Sequence, residues 1–242
     1  MEVTMPKKLD IIYILKPQLD TEELKYSLRS VEANFPHRKV WFVGGKPEGL
    51  TPDVMIQHRQ VGEDKWDKIR SSMWRVLQEP DLTEDFYLFN DDFFVMKPVK
   101  GKFINFADKT LTWRYEAIAA EHKWPLPYER TLYKAREELK MLGRDEVNFE
   151  VHLPMLFNKA LATESIYKCS SPQMRSVYGN YNRIKYIQHD DVKVYDLDAV
   201  PEDPDYLSTN DKTFQSGQVG EFIRGVFSTP SRFETPTPKG VL

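Results

Sequence analysis

"LDIIYIL" at 9–15, then "DTEELKYSLRSVEANFP" at 20–36 and "RKVWFVGG" at 38–45, is the stretch that decides the fold. The first run is β-branched and apolar and stops at Pro17, as a strand buried on both faces does. Leu24, Leu28 and Val31 then fall at helical spacing. Asp20 or Thr21 suits the cap, Glu22 and Glu23 sit at the positive end of the helix dipole, and Pro36 follows the stop. "RKVWFVGG" is a second strand closed by two glycines, so the three pieces make a β-α-β unit.

The alternation continues. "DVMIQHR" reads as a third strand, and "EDKWDKIRSSMWRVLQEP" as a helix with Trp66, Ile69, Met73, Val76 and Leu77 on one face. "DFYLF" at 85–89 is the next strand. The expectation is an α/β fold, a mixed sheet flanked by helices, with ligands beyond the carboxyl ends of its strands. From 97 to 148 the pattern loosens: "KPVKGKFINF" is hairpin-like and "LPYERTLYKAREELKMLGR" is an amphipathic helix stopped by Gly143. This reads as an inserted helical/hairpin segment or lid in a single domain over 1–242. "LFNKALATESIYK" reads as helix, "VKVYDLD" as strand, "QVGEFIRGVF" as a last helix, and 235–242 as a loose tail.

The 242 residues carry 34 Lys and Arg against 37 Asp and Glu, a net charge of -3, so bulk charge favours neither nucleic acid nor an anionic membrane as partner. The single cysteine, Cys169, excludes an internal disulfide framework and a zinc site of paired cysteines. Ile11 to Leu15 is too short for a signal core or a membrane span, which points to a cytoplasmic protein. No Walker loop, GxGxxG, nucleophile elbow or Ser-His-Asp order is present.

Chemistry concentrates in four places. In "FYLFNDDFFV", Asp91 and Asp92 follow a buried strand, where a carboxylate is costly unless something pairs with it. Such a pair supplies hard oxygen ligands for Mg²⁺ or Mn²⁺ bridging a diphosphate, as in nucleotide-sugar transferases of the GT-A type, and equally suits a turn or cap. In "YLSTNDKTFQSGQVGEFIRGVF", Asp211 can share a metal and the N–H groups from Ser216 to Gln218 can hold a phosphate, while Asp and Ser are also the commonest caps. In "NFEVHLPMLFNK", His152 can accept a proton from a hydroxyl or simply pack in a core. Arg175 in "SPQMRSVYGN" and Arg29 in "YSLRSVE" can each grip a phosphate or pair with a carboxylate.

In order, these fragments resemble the motif blocks of the Stealth family. Its members include bacterial capsular polysaccharide phosphotransferases and the catalytic part of the lysosomal-enzyme N-acetylglucosamine-1-phosphotransferase. "DIIYILK" stands at the opening block, and "EELKYSLRSVEANFPHRKVWFVGG" through "FYLFNDDFFVMKPV" is similar to the second. "VHLPMLFNKAL" with "PQMRSVYGN" resembles the third, and "YLSTNDKTFQSGQVGEFIRGVFSTPSRFE" the fourth, which ends in Pro-Ser-x-Phe-Glu. The matches touch about half the chain. One departure is Ile14-Leu15-Lys16-Pro17, where the family usually continues into Trp-Val-Asp-Gly.

The resemblance implies a GT-A-like fold and transfer of a sugar 1-phosphate from a nucleotide diphosphate sugar, UDP-linked for preference, to a hydroxyl of a glycan or other polymer, as in polysaccharide biosynthesis. It implies Mg²⁺ or Mn²⁺ on Asp91, Asp92 and Asp211, with Asp92, Asp211 and His152 in catalysis. Arg29, Arg175, Asn90, Asn210, Tyr13 and Ser216 would contact substrate. A glycosyltransferase releasing nucleoside diphosphate and a non-catalytic glycan-binding protein are the rival expectations.

Overall fold

The computed structural model describes residues 8–17, 21–121 and 126–235. In chain order the elements are β1 (Leu9–Leu15), α1 (Thr21–Asn34), β2 (His37–Gly44), β3 (Val54–Gln57), α2 (Lys65–Leu77), β4 (Asp85–Phe89), β5 (Phe93–Val95), β6 (Asn105–Ala107) and α3 (Leu111–Glu121). Then come α4 (Pro127–Met141), β7 (Met155–Asn158), α5 (Lys159–Lys168), α6 (Met174–Tyr181), β8 (Tyr186–Gln188), β9 (Tyr206–Ser208), α7 (Asp211–Ser216) and α8 (Gln218–Val226). The fold is α/β, with a mixed five-stranded sheet ordered β3-β2-β1-β4-β7 and helices flanking it. Two two-stranded sheets, β5-β9 and β6-β8, accompany it. The chain gathers into two compact units, the first from Met1–His58, Phe89–Lys102 and Val192–Leu242, the second from Arg59–Leu88 and Phe103–Asp191.

In the first unit β1, β2 and β3 run parallel, as the β-α-β reading requires. Ile11, Ile12, Tyr13, Val40, Trp41 and Phe42 are buried, which is why both runs are apolar without alternation. α1 turns Leu24, Leu28 and Val31 inward, together with two serines, Ser27 and Ser30. Those serines are the structural use of the helix. Ser27 donates its hydroxyl to Phe93 O at 2.6 Å and accepts from the Tyr13 hydroxyl at 2.9 Å. Ser30 accepts from Val95 N at 3.0 Å, and Asn34 Nδ2 donates to Val95 O at 2.8 Å.

One edge of β5 is therefore satisfied by α1 side chains and the other by antiparallel pairing to β9, where Phe93 faces Ser208, Phe94 faces Leu207 and Val95 faces Tyr206. Beneath lies an apolar cluster of Phe94, Leu207, Phe214, Val219, Ile223 and Phe227, with the Phe94 and Phe214 rings stacked at 5.7 Å. α8 approaches so closely that a Cβ on Gly220 would stand 1.8 Å from Phe214 O, so only glycine fits there.

The second unit pairs β4 with β7 antiparallel, Asp85 facing Asn158. α3, α4 and α6 enclose Leu111, Leu132, Ala135, Leu139 and Val177, and Cys169 sits buried as a free thiol among them.

Several expectations change. "KPVKGKFINF" is no hairpin: its end forms β6, which pairs in parallel with the distant β8. The 97–148 segment also holds α3, whose Thr- and Trp-bearing start did not read as helix, and it contributes to both units. "LFNKALATESIYK" starts as β7, because Asn158 accepts from Leu161 N and so caps α5 where the strand ends. "VKVYDLD" reaches only a single bridge, Lys193 to Ser208, before the Asp196 turn ends the pairing. Asp20, His122 and 236–242, with the expected cap and most of the loose tail, lie outside the described residues.

Replacing Ser27 with Ala strands two buried polar groups, the Phe93 carbonyl and the Tyr13 hydroxyl, and is expected to destabilise the fold by about 1–3 kcal/mol. Urea unfolding of Ser27→Ala, Tyr13→Phe and the double variant measures this. The double should cost less than the sum of the singles.

Candidate functional site

The acidic pair sits where the sheet geometry puts it. β4 ends at Phe89, residues 90–92 turn, with Phe93 N donating to Asn90 O at 3.3 Å, and β5 begins. Because β5 and β9 are antiparallel, the residues just before β5 lie beside those just after β9. Thr209 N accordingly donates to Asp92 O at 3.4 Å, and Asp91-Asp92 come alongside Asn210-Asp211. Two segments more than a hundred residues apart in sequence thus line one cleft of about 410 Å³. Its carboxylates are Glu23, Asp91, Asp92 and Asp211, and its cations are Lys16, Lys193 and Lys212.

The carboxylates work against one another. Burial, then the Asp92 charge, pushes Asp91 from the ordinary 3.8 up to about 6, while a backbone hydrogen bond, Lys16 and Lys193 pull it down. Glu23 takes a hydrogen bond from the Thr209 hydroxyl at 2.7 Å. Even so, burial and then Asp92, Asp91 and Asp211 push it up to about 7. Lys193 is the internal counter-ion: its Nζ donates to Asp92 Oδ2 at 2.8 Å, and both side chains are only 14% exposed. Burial lowers the Lys193 ammonium, but the Asp92 charge and hydrogen bond, with Tyr195 and Glu23, together outweigh it and hold it above the ordinary lysine range.

Among the described residues no three His, Cys, Asp or Glu side chains stand as a ready-made metal cage. The donor set nevertheless suits a hard cation in its chemistry. Three aspartates line the cleft, Asp92 raises the proton affinity of Asp91, and Asp92 Oδ1 is buried with no hydrogen-bond partner.

In the second unit His152 Nδ1 lies 2.8 Å from Asp191 Oδ1 and 2.9 Å from Oδ2, and Asp191 also takes the His152 backbone N–H at 3.3 Å. A carboxylate only accepts, so Nδ1 carries the hydrogen and the basic lone pair of the neutral ring is on Nε2. Arg114 Nη2 stands 4.0 Å from Asp191 Oδ2. Near His152, burial raises the Glu150 carboxyl while Arg175 and Ser176 draw it back down.

The other candidates turn out to be structural. Tyr13 is fully buried in β1 against Phe42 and Phe89, its hydroxyl on Ser27, so no substrate reaches it. Arg29 gives a bidentate pair to Glu234, both bonds 2.7 Å, and a third bond to Phe227 O at 2.9 Å, fastening the Pro-Ser-x-Phe-Glu segment to α1. Arg175 is buried, donating to Leu153 O at 2.7 Å and Leu88 O at 3.4 Å.

Ser216 is an exposed residue ending α7, and the phosphate cradle expected there is closed. Gly217 N donates to Thr213 O and Gln218 N to Leu197 O. Asn210 does line the cleft, but its Oδ1 caps α7 by accepting from Thr213 N at 2.9 Å.

Sequence reasoning missed Glu23, Lys16, Lys193, Lys212 and Asp191. Glu23 read as a helix-dipole residue and Lys193 only as part of the strand "VKVYDLD". Only the second Asp-Asp pair, Asp190-Asp191, carried a visible hint. The chain matches no known family model and no curated protein.

Asp91 and Glu23 also set a pH dependence. Their folded-state pKa values lie above the ordinary ones, so between about 4 and about 7 the folded chain keeps protons that the unfolded chain releases, and stability falls as pH rises through that window. Asp91→Asn should therefore stabilise the fold at pH 7–8 by on the order of 2 kcal/mol, with the gain vanishing near pH 4. Urea titrations at several pH values check the sign.

Proposed function

We propose that the chain transfers a sugar 1-phosphate from a nucleotide diphosphate sugar to a hydroxyl of a glycan or other polymer on a GT-A-like, Stealth-type scaffold. The observation that supports this best is the meeting of Asp91-Asp92 with Asn210-Asp211 in one charged cleft. Those two segments resemble separate family blocks, and nothing in the sequence requires them to be neighbours.

In this reading the acceptor oxygen attacks the phosphorus that bears the sugar. The bond from that phosphorus to the bridging oxygen breaks, and the nucleoside monophosphate leaves with the bridging oxygen. Within the second unit, His152 offers Nε2 as a proton acceptor, and Asp191, on Nδ1, holds the ring in the required tautomer and would stabilise an imidazolium. Asp91, Asp92 and Asp211 would hold Mg²⁺ or Mn²⁺, which supplies charge neutralisation for the leaving phosphate. Among the described residues no helix is long and apolar enough to cross a membrane.

A panel of nucleotide diphosphate sugars, incubated with Mg²⁺ or Mn²⁺ and read out by the released nucleotide, tests the proposal. With a UDP-sugar, UMP is expected. UDP would mean that attack falls on the anomeric carbon, and binding of glycan without donor turnover would mean that the fold serves only recognition. Asp92→Ala and His152→Ala should each lower turnover by about a hundredfold or more, and full activity in both would sink the assignment.

A further inference from the structure

The proposed reaction requires cations for a diphosphate, yet Arg29 and Arg175 are held by Glu234 and by backbone carbonyls. The cations that line the cleft with Asp91, Asp92 and Asp211 are instead Lys16, just past the end of β1, Lys193 and Lys212. We propose that these three lysines are the diphosphate-binding groups of the cleft, with Lys193 the central one. The inference rests on the functional reading above for the nature of the donor, but not for the anion itself.

Lys193 is the best placed. Its ammonium is held at 2.8 Å by a carboxylate that keeps a second, buried oxygen without a hydrogen-bond partner. Such an ammonium is positioned rather than trailing in solvent, and its three N–H bonds let it donate to a phosphate oxygen while keeping Asp92. Lys16 and Lys212 are exposed and reach inward on flexible stems, as point charges that follow a mobile phosphate.

The charge balance makes a second demand. Four carboxylates face three ammonium groups, so the cleft is formally negative and by itself repels a diphosphate. A divalent cation reverses that sign. The lysines and the cation must therefore act together, and diphosphate affinity should rise when Mg²⁺ is added.

The test is calorimetric binding of UDP and of inorganic pyrophosphate to the full chain, with and without Mg²⁺. The wild type should bind both and bind them tighter with Mg²⁺. Lys193→Met should lose about tenfold or more, and the Lys16→Met/Lys212→Met double variant a similar factor. Lys193→Arg should retain most of the affinity, and Lys140→Met, on exposed α4 surface, should change nothing. If Lys193→Met fails to fold, the double variant, altered only at exposed positions, decides.

Wild-type affinity in the double variant, or no binding of either anion by the wild type, overturns the proposal. Lysine-dependent anion binding without turnover of any donor leaves the anion site standing and removes the transferase reading. Donor turnover that ignores all three lysines does the reverse.

Discussion

The three-residue strand β5 is the constraint on which the site depends. Three residues cannot hold themselves in place, and this strand carries the turn with Asp91 and Asp92 at its start. It is fixed because the Phe93 carbonyl and both backbone groups of Val95 meet polar side chains from one face of α1, Ser27, Ser30 and Asn34, while the Phe93 N–H bonds Asn90 O in the turn. A helix that offers hydroxyls and an amide at this spacing acts as a substitute strand edge. The apparent flaw of α1, two serines inside an otherwise apolar face, is its main contribution.

The same logic explains the arginines. A guanidinium is tolerated in a core only when its donors are matched, and both arginines that looked suited to phosphate are matched by the protein itself. Arg29 ties the C-terminal segment to α1 through Glu234, which also takes the Ser231 N–H at 2.7 Å. Burial raises the Glu234 carboxyl, but its bonds from Arg29 and Ser231 outweigh that and hold it below its usual range, as a structural ion pair should. The lysines were left for the cleft, where a point charge on a flexible stem suits a partner that comes and goes.

The β-α-β opening, α2, β4 and the apolar face of α8 were legible because strand and helix periods are imprinted on long apolar patterns. Short strands were not: β6, β8 and β9 have three residues each, too few for a period, and exist through partners far along the chain. Asp91 and Asp92 were visible as acidic punctuation after a strand, Asp211 as part of an Asn-Asp ahead of a helix start, and His152 as a histidine among apolar neighbours just ahead of Pro154. Their partners Lys193 and Asp191 were not, because an ion pair between residues 39 or 101 positions apart leaves no local trace. Tyr13, Arg29 and Arg175 misled for the converse reason, since a residue type suited to a ligand is equally suited to a buried internal bond.

The cleft is unfavourable to the fold that carries it. Glu23 and Asp91 are each harder to ionise in the fold than in water, and both are pushed up first by burial and then by neighbours of the same sign. A chain selected for stability alone would dilute these charges, because replacing a strained buried carboxylate by its amide costs nothing in packing. Lys193 relieves the strain only in part, since one ammonium bonds one oxygen of Asp92. The remaining imbalance is negative and concentrated in one concave place, and a multivalent cation with its anionic partner is the kind of ligand that would discharge it. Binding would then stabilise the folded chain most above the pH window in which these carboxyls give up their protons.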